Sequence, residues 1–205
     1  RVTSTALNFV RPGIDRTKGS VLNLNSISSV SDEIPETVSN PELDDGIRTL
    51  PLPGTNILGQ NIKGWWHKLS MFREEIKELG SHILYFDVDI VITGSIDPLL
   101  FYDSDFALAQ NCYVPIFSSS VMRFKNGSKP EIWSDFSEIN AEKYGGDEIW
   151  IASKVPEADV FPEEWCKIYR LHAAQKIPRG AKIISFGGEP NPEDYPAPWI
   201  KDYWI

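Results

Sequence analysis

HILYFDVDIVITGSIDPLL, residues 82–100, is the stretch that decides what kind of fold this chain adopts. Its first part, Ile83 to Phe86, is apolar without a break, which is typical of a strand buried in a sheet. Asp87 and Asp89 follow it directly. A carboxylate removed from water is unfavourable unless a positive partner meets it, so this pair requires a cation, basic side chains or an exit into a cleft.

Length and composition limit the class of protein. The 205 residues suffice for a sizeable core, and we expect one domain over residues 1–205. The net charge is −9 and no run is rich in Lys or Arg, which argues against a nucleic-acid-binding surface. Two cysteines are too few for a disulfide scaffold. With no membrane-spanning stretch and no signal peptide in the sequence, we expect a cytoplasmic protein; nothing in it predicts an oligomeric state.

Strand and helix patterns alternate along the chain. Three helices are predicted, at 65–79, 130–139 and 146–155. Strands are predicted at 4–10, 20–27, 47–53, 82–87, 90–93, 106–110, 119–125, 166–172 and 181–186. Such alternation predicts an α/β sandwich with a mostly parallel central sheet flanked by helices.

The two aspartates at the end of the first clear strand indicate a cation site. Ligands of open α/β sheets bind where strands end, and strand alternation predicts that Asp87 and Asp89 point the same way. Two hard oxygen donors make half of a site for Mg²⁺ or Mn²⁺. The alternative is a turn whose aspartates cap backbone amides.

The segment around Asp87 and Asp89 resembles GT-A-fold glycosyltransferases, in which an apolar strand runs into a D-x-D motif. It is most similar to the glycogenin and bacterial lipopolysaccharide galactosyltransferase class and their small bacterial and viral relatives. Three more stretches resemble motifs of that family, in its order: GWWHKLSMF at 64–72, IFSSSVMRFK at 116–125 and GGDEIWI at 145–151. The resemblance covers about residues 46–204 and implies a GT-A, Rossmann-like sandwich.

The resemblance also implies roles on the donor side of a site. Asp87 matches the residue that lies toward ribose and metal, and Asp89 matches a direct metal ligand. Lys68 matches a basic residue that faces the donor, where it either neutralises a phosphate or orients Asp87; the alternative is a solvated lysine on the helix surface. Ser119 and Ser120 stand at positions that offer hydroxyls to a sugar; the alternative is ordinary polarity at a strand end.

On the acceptor side the resemblance implies two catalytic residues. Asp147 matches the family's first aspartate in its G-D-Q-D motif, and Glu148 stands where the family has glutamine. Because both lie at a predicted helix start, where acidic residues are favoured for capping alone, the alternative is a purely structural role.

The C-terminal motif departs from the family. The family has F-H-G-x-P-K-P, whose histidine is the third metal ligand and whose lysine meets the diphosphate; this chain has Gly187 and Asn191 there. Gly188 and Asn191 are still implied beside the donor. Either water fills the vacant position, which suits Mg²⁺, or Glu189, Glu193 or Asp194 approaches it instead. His172 is the histidine to test as a replacement ligand.

The residues and the resemblance together predict a metal-dependent transferase. It would move a sugar from a nucleotide-diphosphate donor, UDP by resemblance, to a glycan or other hydroxyl acceptor, with Mn²⁺ or Mg²⁺. One alternative is a catalytically inactive glycosyltransferase-fold binding protein, suggested by Gly187 and Asn191. The other is a haloacid-dehalogenase-type phosphatase with Asp87 as nucleophile, although its motif lies far from the chain start and the later metal pair is absent.

Overall fold

The computed structural model describes residues 64–74, 76, 80–113, 117–188, 191–194 and 197–204. The strands predicted at 4–10, 20–27 and 47–53 lie outside these residues. The described strands are β1 (His82–Phe86), β2 (Ile90–Ile92), β3 (Phe106–Gln110), β4 (Phe117–Lys125), β5 (Asp159–Val160), β6 (Cys166–Ile168) and β7 (Ile183–Ser185). The α-helices are α1 (Asp97–Leu100), α2 (Glu131–Ser134), α3 (Glu138–Tyr144), α4 (Asp147–Lys154) and α5 (Ile200–Tyr203).

The described strands form two sheets, with strand orders β1-β4-β3-β5 and β2-β7-β6. Three of the described ladders are antiparallel (β1–β4, β3–β4, β2–β7) and two are parallel (β3–β5, β6–β7). The α/β class is confirmed, whereas the predicted mostly parallel sheet is wrong for this part of the chain. The connection between β3 and β4 explains part of the difference, because residues 111–116 are too few for a parallel crossover.

The first sheet is buried on both faces, which explains the unbroken apolar run that precedes Asp87. Ile83 and Tyr85 pack into a core shared with α2 and α4, whereas Leu84 and Phe86 pack on the opposite face with residues of the second sheet. A third cluster lies on the second sheet and includes Trp199, which is buried. The order of layers is therefore helices α2 and α4, the first sheet, the second sheet and the C-terminal helix α5.

Two predicted helices differ from the structure. Instead of one α-helix at 65–79, a 3₁₀-helix spans Gly64–Phe72, and the later part of the prediction lies mostly outside the described residues. Trp66, Leu69 and Phe72 are buried and three apart, which is the 3₁₀ period. The helix predicted at 130–139 is instead the pair α2 and α3, because Ser137 is extended and caps α3 by accepting from the Asn140 N–H.

The C-terminal third contains a third difference. The strand predicted at 166–172 ends at Ile168, and a π-helical turn, Tyr169–Ala173, follows. The predictions for β3 and α4 match to within a residue at each end. No helix among the described residues has the length and apolar character required to cross a bilayer.

Candidate active site

The D-x-D turn, Asp87 to Asp89, lies where the chain crosses from the first sheet to the second. The Asp87 N–H donates to the Ser120 carbonyl of β4, and the Phe186 N–H donates to the Asp89 carbonyl, both at 2.9 Å. The turn is therefore attached to both sheets. Since β1 ends one residue before Asp87, separate partners orient the two carboxylates, and the predicted strand alternation does not.

Lys68, Asp87, Ser119 and Asp147 form a buried cluster, the Lys68 network. Lys68 Nζ lies 2.9 Å from Asp87 Oδ1, 3.0 Å from Asp147 Oδ2 and 3.0 Å from Ser119 Oγ. Ser119 Oγ donates to Asp147 Oδ2 at 2.5 Å, and the Tyr85 hydroxyl donates to Asp87 Oδ1 at 2.5 Å. Each of the three ammonium protons of Lys68 thus has an acceptor.

Electrostatics keep Lys68 charged inside the protein. Burial by itself lowers the pKa of the Lys68 ammonium, but attraction to Asp87 and Asp147 outweighs it and raises that pKa above the ordinary lysine value. The Lys68 side chain is only 5% exposed. A buried cation held by two carboxylates orients them both before any ligand arrives.

A register shift in the first sheet positions the serines. Leu108 of β3 pairs with Met122 of β4, but the next residue, Ala109, pairs with Ser118. Residues 119–121 are therefore left out of the β3 ladder. Bulges of this kind re-aim side chains and are common beside active sites.

Ser118 and Ser120 lie on the opposite side of β4 from Ser119, and Ser118 links Ser120 to Glu148. The two hydroxyl oxygens are 2.9 Å apart, and Ser118 Oγ donates to Glu148 Oε1 at 3.1 Å. Asn111 Nδ2 donates to the other oxygen, Oε2, at 2.9 Å. We call Asn111, Ser118, Ser120 and Glu148 the Glu148 network. Burial, followed by repulsion from a neighbouring aspartate, raises the pKa of the Glu148 carboxyl, and the Ser118 hydrogen bond opposes this.

Among the described residues, the side chains of Asp147 and Glu148 bond to other side chains and not to the backbone N–H groups at the start of α4. Gly146 occupies the N-cap of α4, and no side chain caps that end. Asp147 is buried in the Lys68 network and Glu148 is half-buried in its own. The first turn of α4 therefore places one carboxylate in each network.

Asp89 faces a glycine turn. The Gly188 N–H donates to Asp89 Oδ2 at 3.2 Å. Burial, and then repulsion from Asp87, raises the pKa of the Asp89 carboxyl. Gly187 and Gly188 are exposed, with φ of 53° and 93°, and a Cβ at either would meet nothing within 4 Å.

The structure does not bring every predicted residue to this cluster. The Asn191 N–H donates to Asp194 Oδ2 at 3.3 Å, at the start of a 3₁₀ turn, Pro192–Asp194. No hydrogen bond within the described residues joins Asn191 to the D-x-D turn. His172 Nδ1 accepts from the Ile168 N–H at 3.2 Å, a local contact that favours a structural role.

The donor set can be compared with what a divalent ion requires. Asp87 and Asp89 supply carboxylate oxygens, and Lys68 contacts Asp87 and Asp147 directly while it acts on Asp89 and Glu148 only through its charge. Among the described residues, no set of three or more His, Cys, Asp or Glu side chains surrounds a common point. Mg²⁺ is held by one or two carboxylates together with water and substrate phosphates, so the two aspartates fit this ion.

Sequence reasoning missed two contributors. Tyr85 lies two residues before Asp87, and since alternate strand residues share a face, its hydroxyl was a foreseeable partner. Asn111 follows β3, and its contact with Glu148 spans 37 positions. No local pattern signals that contact.

The comparisons with known proteins identify the fold. No family model matches the chain, and no curated protein matches it by sequence. Among solved structures, the galactosyltransferase LgtC, in complex with donor and acceptor sugar analogues, superposes with a TM-score of 0.50 at 12% identity, covering 72% of this chain and 69% of LgtC. The glycosyltransferase GlyE of Streptococcus pneumoniae TIGR4 gives 0.50 at 14% identity, covering 68% of this chain and 41% of GlyE.

Both similar structures are glycosyltransferases, and at these identities the likeness concerns the fold. The chain therefore has the fold of the GT-A glycosyltransferases.

Proposed function

We propose that this chain is a metal-dependent glycosyltransferase that uses a nucleotide-diphosphate sugar, with UDP as the nucleotide. The observation that carries the proposal is that four carboxylates lie near the crossing between the sheets, of which Asp87 and Asp147 contact Lys68 whereas Asp89 and Glu148 feel its charge without a direct contact. It supports a site for a cation because like charges brought together in a desolvated place are unfavourable until something positive joins them.

Asp87 and Asp89 would hold the divalent ion, Mn²⁺ or Mg²⁺, with waters and donor phosphates completing its coordination. When bound, the ion would neutralise the charge that develops on the departing nucleotide diphosphate. Asp89 is the more available of the two, because the Gly188 N–H at 3.2 Å occupies only one carboxylate oxygen. The exposed turn at Gly187 and Gly188 leaves space there for a donor.

Lys68 would act as a positioning residue. Its three protons are used by Asp87, Asp147 and Ser119, so of the two roles considered for it the contacts favour orienting Asp87 over meeting a phosphate. Fixing two carboxylates in advance removes reorganisation from the reaction step.

Glu148 would meet the acceptor hydroxyl. Burial raises the pKa of the Glu148 carboxyl, and a carboxylate with a raised pKa is a stronger general base. Ser118 and Ser120 continue the same hydrogen-bonded chain and would orient a sugar hydroxyl beside it. The carboxylate of Asp147 would contribute its negative charge to the electrostatic field of the site, and its side chain would fix the first turn of α4.

Titration calorimetry with UDP, in the presence and absence of Mn²⁺, tests the proposal. The wild type should bind UDP only when Mn²⁺ is present. Asp89→Asn should lose this metal-dependent binding, because the new side-chain amide oxygen would still accept from the Gly188 N–H but would no longer offer the metal an anionic ligand. Asp202→Asn, an exposed change in α5, is the control. Equal binding of UDP by the wild type with and without Mn²⁺ would remove metal dependence from the proposal.

One alternative retains support. Gly187 has no side chain to ligate a metal and Asn191 no charge for phosphate, which favours a glycosyltransferase-fold protein that binds without turnover. Failure of UDP binding under both conditions would favour it. The phosphatase alternative is disfavoured by the likeness to glycosyltransferase structures, and release of phosphate from a phosphomonoester would restore it.

A further inference from the structure

Tyr113 is a large aromatic side chain that lies in water beside the Glu148 network. It is 62% exposed. Within the described part of the chain, its ring packs on no other ring and its hydroxyl makes no hydrogen bond. Leaving an aromatic ring in water gives up the free energy of its burial, so the packing of the described fold does not account for its position.

The backbone of Tyr113 is nevertheless fixed. The Tyr113 N–H donates to Asn111 Oδ1 at 2.9 Å, the two-residue spacing of an Asx turn. The side-chain amide of Asn111 also donates, through Nδ2, to Glu148 Oε2 at 2.9 Å. One side chain therefore holds the aromatic residue and the carboxylate in a fixed relation.

This combination fits the chemistry of a sugar. A sugar ring presents hydroxyls at its edge and C–H groups on its face, and binding sites for such ligands combine a few placed polar groups with aromatic surface. Glu148, Ser118 and Ser120 supply the polar groups, and Tyr113 supplies the aromatic surface.

Two other features favour a neutral acceptor with an apolar face. Val88, between the two aspartates, is 38% exposed, and Ile149, next to Glu148, is 48% exposed. The excess of carboxylates disfavours an acidic acceptor, because like charges repel in a partly desolvated site.

We propose that Tyr113 is a stacking platform for the acceptor, and that the acceptor is a neutral glycan whose terminal sugar lies on this ring with a hydroxyl toward Glu148. This inference rests on the proposed function, since it names the acceptor class of the same site. An acceptor hydroxyl carried by a protein or a lipid would not need the Tyr113 ring as a stacking surface.

The experiment uses saturation-transfer NMR with a panel of lactose, maltose, cellobiose and N-acetyllactosamine, each with and without UDP and Mn²⁺. Stacking on an aromatic ring is worth enough that Tyr113→Ala should weaken sugar binding about tenfold. Tyr113→Phe should retain it, because the ring remains. Phe101→Ala is the matched control, since Phe101 is 70% exposed and follows α1, away from both networks.

The possible results separate the two proposals. Binding of a sugar that Tyr113→Ala weakens, and that the Phe variant and Phe101→Ala preserve, supports the inference. Metal-linked UDP binding with no sugar bound, or with equal sugar binding by Tyr113→Ala, overturns the inference and leaves the proposed function standing. Loss of UDP binding in the wild type counts against the proposed function itself.

Discussion

Asp87, in the Lys68 network, and Asp89, beside the Gly187–Gly188 turn, lie in opposite electrostatic surroundings. In the network, Asp87 and Asp147 share a buried ammonium at about hydrogen-bonding distance. At the turn, Asp89 receives backbone N–H groups and no cation in direct contact among the described residues; the Gly188 N–H lies 3.2 Å from its Oδ2. Burial and a neighbouring carboxylate raise the pKa of Asp89, so this carboxylate is the less well compensated one.

The difference indicates that the two aspartates of the D-x-D motif have separate roles. Asp87 belongs to the packed framework, where its partners are already present. Asp89 lies beside exposed backbone with room for a ligand. Removing a framework charge should therefore affect folding, whereas changes at the turn should affect binding.

Lys68→Met should have the largest effect on stability. It would leave the buried Asp147 and the half-buried Asp87 without their cation, and breaking a buried pair in this way costs about 3–5 kcal/mol of the free energy of unfolding. Urea denaturation measures it. Lys129→Met is the control, because its partner Glu157 is 62% exposed and surface pairs contribute little. Equal losses in the two variants would contradict the assignment of Lys68 to a framework.

Gly187→His should have an intermediate effect, on binding. At φ of 53° with open space around Cβ, histidine is among the better tolerated residues in left-handed backbone, at a stability cost of about 1 kcal/mol. An added imidazole near Asp89 should tighten Mn²⁺-dependent UDP binding about tenfold, or about 1.4 kcal/mol. Calorimetry measures this change.

Gly180→His provides the control for the added histidine, since Gly180 has φ of 88° and precedes β7 at its other end. If both variants tightened binding equally, the gain would come from any surface histidine. Position 187 would then have no particular role in metal binding at the D-x-D motif.

The smallest effect concerns pH. Because the folded state raises the pKa of Asp89 above its ordinary value of 3.8, it binds the proton more tightly than the unfolded chain does. The free energy of unfolding therefore loses this contribution as pH rises from about 4 through the raised pKa. Asp89→Asn should show a shallower fall in metal-free urea denaturation across that range. The same slope in wild type and variant would show that Asp89 is as well solvated as in the unfolded chain.

Much of the local structure was predictable. The apolar run before Asp87 predicted β1, and it ends as expected because a strand buried on both faces tolerates few polar residues. β3 and α4 followed from the same reasoning about burial and period. Asp87, Asp147 and Glu148 were named from a resemblance of short motifs; Lys68 contacts the first two, and Glu148 lies in its own network.

The helix at Gly64–Phe72 reads as α-helical because apolar spacings of three and four occur together, whereas in the structure the buried Trp66, Leu69 and Phe72 follow the three-residue period of a 3₁₀-helix. Likewise, alternation of strands and helices indicates an α/β class, but the direction of a ladder depends on which strands meet.

The sequence by itself determined where the chain is buried, where its strands stop, and that two aspartates leave the core side by side, because burial and turn chemistry act over a few residues. Tertiary structure alone decided that Lys68 lies between Asp87 and Asp147, that the chain changes sheets at the D-x-D turn, and that Asn111 joins Tyr113 to Glu148. These contacts link residues far apart in the chain, and only the packing of complete elements brings them within hydrogen-bonding distance.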